Sequence, residues 1–181
     1  MRKLTILLML LIGISMNSFA TRWVARVTTG VNLREGPSTD YGIITKIPKN
    51  AFVFYDDEDS EDGFLRVIFI DKDISGYISA RFVSNYKEVE VDQSGQLQMV
   101  GSSESYNPEL NIKNKSNYTM TLRIGDSSYK FAPYSSKTIE VSPGTITFTA
   151  SSPGVIPYVG KDVVQANYSY DWIFYVSTTR K

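Results

Sequence analysis

The chain contains neither histidine nor cysteine, which restricts the chemistry that its 181 residues could perform. Histidine is the side chain whose unperturbed pKa lies near neutrality, so a Ser-His-Asp triad is excluded. A cysteine nucleophile, imidazole or thiolate metal ligands and structural disulfides are excluded as well. The groups that remain are carboxylates, hydroxyls, Lys, Arg and an unusual number of tyrosines, 12 beside 9 Phe and 2 Trp. From these we expect no cofactor and no resident metal.

The densest charged segment is an acidic run, in which six of the seven residues 56–62 are Asp or Glu. An EF-hand loop beginning at Asp57 would need Gly at position 6 and Glu at position 12, but these positions hold Asp62 and Ile68. Paired carboxylates for glycoside hydrolysis would need an apolar pocket that raises one pKa, and this polar run implies none. The favoured interpretation is a solvated hairpin tip whose charge protects a sheet edge. Weak binding of Ca²⁺ or of a cationic peptide is the alternative.

The first twenty residues have the pattern of a secretory signal peptide. Arg2 and Lys3 precede an apolar run of 13 residues, and Ser18 and Ala20 occupy the −3 and −1 positions of a cleavage site. A membrane span needs about 18 apolar residues, so we predict cleavage after Ala20 and an exported protein, periplasmic or extracellular, without a membrane span. Removal of Arg2 and Lys3 leaves 17 basic against 19 acidic residues. This balance argues against nucleic-acid binding.

Strand signals dominate the rest of the chain. Met120, Leu122 and Ile124 alternate with Thr and Arg, residues 145–150 alternate in the same way, and residues 64–70 are apolar on both faces. Such period-two patterns, with Gly, Pro and Ser breaks between them, predict an all-β protein. A polar segment separates two strand-rich blocks, so we predict a signal peptide 1–20, a first domain 21–86, a linker 87–95 and a second domain 96–181. One continuous β-sandwich is the alternative.

The first block carries a family resemblance. The segment VNLREGPSTDY at residues 31–41 resembles the opening motif of bacterial SH3-like (SH3b) domains, and GFLRV at 63–67 and GYISARFV at 76–83 resemble later parts of that motif in the same order. The resemblance covers residues 22–86 and implies a small barrel with a short 3₁₀ turn. It further implies a non-catalytic module of exported proteins that binds cell-wall peptide or glycan. The papain-like peptidases that accompany such modules need Cys and His, which this chain lacks.

The resemblance also suggests where a ligand would bind. Aromatic side chains on one face of the family's barrel form a shallow groove, and Tyr offers it a rigid flat ring with a polar tip. The candidate ligand-binding residues are Asn32, Tyr41, Tyr55 and Tyr77. Phe64 and Phe82 are interpreted as core. Gly36 is predicted to lie in a turn with positive φ, and Gly76 is predicted to allow a close approach of neighbouring strands. Arg34 is predicted to bracket a loop by hydrogen bonds.

The second block predicts an immunoglobulin-like or transthyretin-like β-sandwich. Residues 110–122 resemble the opening of small β-sandwich domains of exported Bacteroidetes proteins. Residues 150–160, with two Pro and two Gly, predict a long ordered loop, and residues 163–177 predict a last strand. Tyr168, Tyr170, Trp172 and Phe174 share one parity of that strand. They are interpreted as sandwich core, and an exposed binding platform is the alternative.

Two functions from different classes follow. The first is a non-catalytic exported protein that recognises cell-envelope peptide or glycan through the SH3-like domain. The second is a structural or assembly module that docks another envelope protein, or a second copy of itself as a homo-oligomer, through the aromatic face of the second domain.

Overall fold

A computed structural model of the chain describes residues 21–91 and 96–175. The predicted signal peptide lies outside these residues, as do residues 92–95 of the predicted linker. The described chain is built of β-strands, which confirms the predicted all-β class. Within the same ranges, no helix is long and apolar enough to cross a membrane.

The first seven strands form one curled sheet, the barrel sheet, in the order β3-β2-β6-β5-β4-β1-β7. Alternate residues of each strand point inward because successive side chains of a strand lie on opposite faces. Leu33, Ile47, Val53 and Ile78 are fully buried in this way. The short 3₁₀ turn implied by the resemblance is present and leads into β7. The elements are β1 (Arg22–Val27), β2 (Val31–Arg34), β3 (Ile43–Ile47), β4 (Phe52–Glu61), β5 (Phe64–Phe69), β6 (Ile74–Ser79), the 3₁₀ turn (Ala80–Phe82) and β7 (Val83–Val89).

The next eight strands form two four-stranded sheets, ordered β11-β10-β13-β14 and β12-β9-β15-β8. Leu110, Ile112 and Trp172 of one sheet share a buried core with Leu122 and Phe148 of the other, so the pair is a β-sandwich. The choice between immunoglobulin-like and transthyretin-like stays a prediction. The strands are β8 (Gln98–Ser102), β9 (Glu109–Asn114), β10 (Met120–Ile124), β11 (Ser127–Phe131), β12 (Ser136–Glu140), β13 (Gly144–Ser152), β14 (Val155–Val164) and β15 (Tyr168–Phe174).

The prediction of a loop at residues 150–160 is wrong. This segment contains the end of β13, the turn of a hairpin and the first part of β14. Strands β13 and β14 pair from Gly144↔Val164 to Ser152↔Val155, and Gly154, with φ of 74°, makes the turn between them. Pro157 lies on an edge strand, where a missing N–H is tolerated. The predicted strand 163–177 is likewise divided: its first residues end β14, and Asn167, with φ of 64°, turns the chain into β15.

Tyr170 and Trp172 of β15 are core and Phe174 packs against them, as the favoured interpretation held for these three residues. Tyr170 and Trp172 are 3% and 2% exposed. The Trp172 ring meets Phe148 edge to face at 4.3 Å between centroids and lies 4.4 Å from Phe174. Tyr168, at the start of the strand, lies at the surface.

The barrel sheet and the sandwich pack against each other through a second apolar layer. Val24, Phe54 and Ile68 lie on the outer face of the barrel sheet. They are buried there together with Ile70, which follows β5, and with Val159 of β14. The apolar character of both faces of residues 64–70 therefore has a physical cause: one face lines the barrel core and the other is covered by the sandwich. The predicted linker takes part, since β7 continues to Val89 and both Val89 and Val91 pack against this layer.

A buried carboxylate lies at the centre of the same interface. Asp73, in the turn between β5 and β6, is 8% exposed. Thr121 Oγ1 donates to its Oδ2 at 2.5 Å, and Ser151 Oγ donates to its Oδ1 at 2.6 Å. The Arg123 guanidinium lies 3.3 Å from Oδ1 and also donates to Ser151 Oγ. One carboxylate of the barrel sheet therefore receives donors from two strands of the sandwich.

Substitution of Asp73 tests this interface. Asn keeps the shape and tolerates the φ of 52° at this position, but it leaves the Arg123 charge without its counter-charge. We expect Asp73→Asn to lower the free energy of unfolding by about 3 kcal/mol, because removing one member of a buried ion pair leaves the other uncompensated. Urea unfolding measures the loss. Asp71→Asn, at an exposed position of the same turn, is the control, and an equal effect of the two substitutions would contradict the assignment.

Candidate functional site

Three of the four predicted ligand-binding residues, Asn32, Tyr41 and Tyr77, lie in or beside a row of side chains that crosses four strands of the barrel sheet. Ile43 of β3 pairs with Arg34 of β2, Arg34 pairs with Tyr77 of β6, and Tyr77 pairs with Arg66 of β5. Directly opposed residues of antiparallel strands project to the same face. We call these four residues the Tyr77 row. It is a half-buried tyrosine ring flanked by two arginines, with an exposed isoleucine at one end.

Asn32 and Tyr41 border the row. Asn32 precedes Arg34 by two residues on β2, and both are half-buried and alternate with the buried Val31 and Leu33, so they share the outer face. Arg34 Nη1 donates to the carbonyl oxygens of Thr39 and Tyr41, at 2.9 and 2.7 Å. The predicted role of Arg34 in bracketing this loop is confirmed, and through it the exposed Tyr41 is held beside the row.

Two glycines allow the close packing around the row. A Cβ at Gly76 would lie 2.6 Å from the Arg34 carbonyl oxygen, which confirms the predicted close approach of strands. The prediction of a positive φ at Gly36 is wrong. Its glycine is needed because a Cβ would lie 2.6 Å from the Tyr41 ring, so the ring packs directly on the backbone.

Tyr55 does not belong to this surface. Its side chain points into the barrel core with Val53 and Leu65, and its hydroxyl donates to Asn85 Oδ1 at 2.7 Å. Tyr55 is buried because alternate residues of a strand point to the same face, and Val53, two residues earlier, points inward. Burial, and after it the charge of Asp57, raises the pKa of the phenol. Of the two phenylalanines interpreted as core, Phe82 packs against the barrel core and Phe64 is half-buried at the start of β5.

Sequence reasoning missed Arg66 and the cleft beside it. This cleft, of about 260 Å³, lies between the barrel sheet and the sandwich and is lined by Arg66, Ser75, Arg123, Thr147 and Thr149, among others. Arg66 is exposed and is bound to none of the residues that the structure describes, whereas Arg123 is bound to Asp73. Arg66 lies between the buried Leu65 and Val67, and this alternation predicts an outward side chain. The cleft that it lines could not be predicted, because the cleft depends on packing between the two halves of the chain.

Most of the acidic run lies within β4, and only Asp62 falls in the turn, so the favoured hairpin tip holds for the end of the run alone. Strands β4 and β5 join at Asp62 and Gly63, with φ of 49° and 76°. Two of its carboxylates make local contacts: Asp56 pairs with Arg22 at 2.9 Å, and Trp23 Nε1 donates to Asp57 at 3.0 Å. Among the side chains that the structure describes, no group of three or more acidic residues is placed to hold a metal ion.

Comparison with known proteins identifies the first part of the chain. Residues 29–84 match the family model of the bacterial SH3 domain, about a third of the chain. The match confirms the resemblance of the first block and includes the whole Tyr77 row, Asn32 and Tyr41. No family model supports the predicted identity of the sandwich. No curated protein and no solved structure matches the chain.

The buried phenol of Tyr55 predicts a dependence of stability on alkaline pH. A raised pKa in the folded state means that the neutral phenol stabilises the fold below about pH 10, the ordinary pKa of Tyr, and that this contribution is lost as the pH rises through the folded pKa. We expect Tyr55→Phe to cost about 1 kcal/mol at pH 7, through the lost hydrogen bond to Asn85.

Above pH 10 the difference between the two proteins should shrink, because the variant has no phenol to ionise. Urea unfolding from pH 7 to 11 measures both curves, with Tyr106→Phe at an exposed position as the control. A difference that stays constant or widens with pH would contradict the assignment.

Proposed function

We propose that this chain is an exported, non-catalytic protein that binds a cell-envelope peptide or glycan on the outer face of its bacterial SH3 domain. The observation that carries the proposal is the Tyr77 row, which lies entirely within the SH3 segment. Bacterial SH3 domains are binding modules, often for the cell wall. A half-buried tyrosine provides a flat apolar surface with a hydroxyl at its edge, which suits both a sugar ring and a peptide.

The arginines of the row favour a ligand with a carboxylate. Arg34 is committed to two loop carbonyls, so it positions Tyr41 rather than meeting the ligand. Arg66 makes no hydrogen bond or ion pair with the described residues, and its side chain lines the cleft. A guanidinium presents paired N–H groups that match a carboxylate in two-point geometry. Cell-wall peptides end in carboxylates, and a peptide lying over Tyr77 would reach Arg66 on the neighbouring strand.

The competing assembly function loses its main support. It required an exposed aromatic face on β15, but Tyr170 and Trp172 of that face fill the sandwich core. A docking partner, or a second copy of the chain, would need another surface.

Binding to purified peptidoglycan tests the proposal. We expect Tyr77→Ala to lower the affinity about tenfold or more, since aromatic residues at the centre of an interface contribute about 2 kcal/mol or more. Arg66→Gln should weaken binding and reduce its dependence on salt. Tyr106→Ala, which removes an exposed tyrosine of the sandwich half, is the matched control.

Three results would contradict the proposal. Equal retention of the wild type and both site variants would place binding elsewhere, and no retention of the wild type would remove the ligand class. Release of soluble fragments from the cell wall by the purified protein would overturn the non-catalytic assignment.

A further inference from the structure

The sandwich contains a larger cavity, separate from the Tyr77 row. It measures about 370 Å³ and lies where β10, β13, β14 and β15 meet the loop that follows β9. This volume is within the roughly 300–1,000 Å³ of small-molecule sites. Its lining residues are Gln96, Asn114, Ser116, Met120, Ala150, Ser151, Ser152, Val155, Ile156, Tyr158, Trp172, Ile173, Phe174 and Tyr175.

The cavity has a buried apolar floor and an exposed apolar rim. Met120, Ala150 and Trp172 line it and are almost fully buried. At the rim, Ile156, Ile173 and Tyr175 expose large apolar side chains to solvent. Single exposed apolar side chains are common on protein surfaces, but a group of them around a concave apolar surface is typical of an interaction site.

One polar group in the cavity has no internal role. Asn114, Ser116 and Ser151 are engaged by hydrogen bonds within the fold, Asn114 to the Tyr118 and Ala132 carbonyls and to Ser116. Ser152 is only 4% exposed and lines the cavity. Its hydroxyl makes no side-chain hydrogen bond with residues 21–91 and 96–175. Because no buried side-chain oxygen or nitrogen in these ranges lacks a partner, this hydroxyl is open to the cavity, where water or a ligand can bond to it.

These features define the chemistry of the ligand. No charged side chain is among the lining residues, so a charged group would enter without compensation. A sugar carries several hydroxyls, each of which needs a partner when it leaves water, and the floor offers one free hydroxyl. An apolar chain with a single uncharged polar group satisfies both conditions.

We propose that this cavity binds the acyl chain of an uncharged amphiphile, with the chain against Met120 and Trp172 and one polar oxygen at Ser152. The tyrosines at the mouth, Tyr158 and Tyr175, suit the boundary between the apolar interior and water, since each has an apolar ring and a polar tip. This site is independent of the peptidoglycan proposal and uses none of its residues.

Tryptophan fluorescence tests the proposal with monodecanoylglycerol as the probe, below the concentration at which it aggregates. The chain has two tryptophans, so Trp23→Phe leaves Trp172, in the cavity, as the only emitter. We expect a saturable change in Trp172 emission. Decanoate at neutral pH, which differs in bearing a carboxylate, should bind more weakly.

Variants on one strand separate the cavity from the general surface. Ile156→Asp places a charge at the rim and should weaken binding about tenfold or more, whereas Val163→Asp on the same strand should not. The two positions are 51% and 61% exposed, and Val163 is outside the cavity. Ser152→Ala should weaken binding about fivefold, the value of one hydrogen bond.

The absence of a saturable change, or an equal effect of Ile156→Asp and Val163→Asp, would overturn the proposal. Saturation by glucose without saturation by monodecanoylglycerol would assign the cavity to a sugar and overturn the acyl assignment.

Discussion

The buried carboxylate of Asp73 is the interaction on which the arrangement of the two halves depends. A carboxylate in an apolar interface is tolerated only when its charge and lone pairs are satisfied. Here that requirement is met by Thr121, Ser151 and Arg123, all from the sandwich. Since the donors come from β10 and β13 while the acceptor lies in the β5–β6 turn, the contact fixes both position and orientation.

The apolar layer around Asp73 explains why the candidate ligand surface is where it is. The outer face of β1, β4 and the far end of β5 is covered, through Val24, Phe54 and Ile68. Strands β3, β2 and β6 contribute no residue to this layer, and most of the Tyr77 row lies on them. Arg66 stands at the border between the two regions, so the sandwich forms one wall of the cleft beside it.

Local patterns in the sequence predicted most of the strands, because alternation and turn residues act over a few positions, whereas the barrel was implied by the family resemblance. Gly76 and Arg34 took their expected roles for the same reason. Tyr55 was predicted at the ligand surface although it has the same strand parity as Val53, and both are buried in the barrel core. The hairpin at 150–160 was predicted as a loop because proline disfavours most strand positions. Pro157 lies on an edge strand, where proline is tolerated. Asp73, Arg66 and the floor around Trp172 depend on contacts between segments distant in sequence, which no local pattern encodes.

Differential scanning calorimetry of the whole protein tests most directly whether the barrel sheet and the sandwich form one cooperative body. If the Asp73 contacts and the shared apolar layer join the two cores, heating should give a single transition whose calorimetric and van't Hoff enthalpies agree. Two separate transitions, each with the enthalpy of roughly half the chain, would contradict this account.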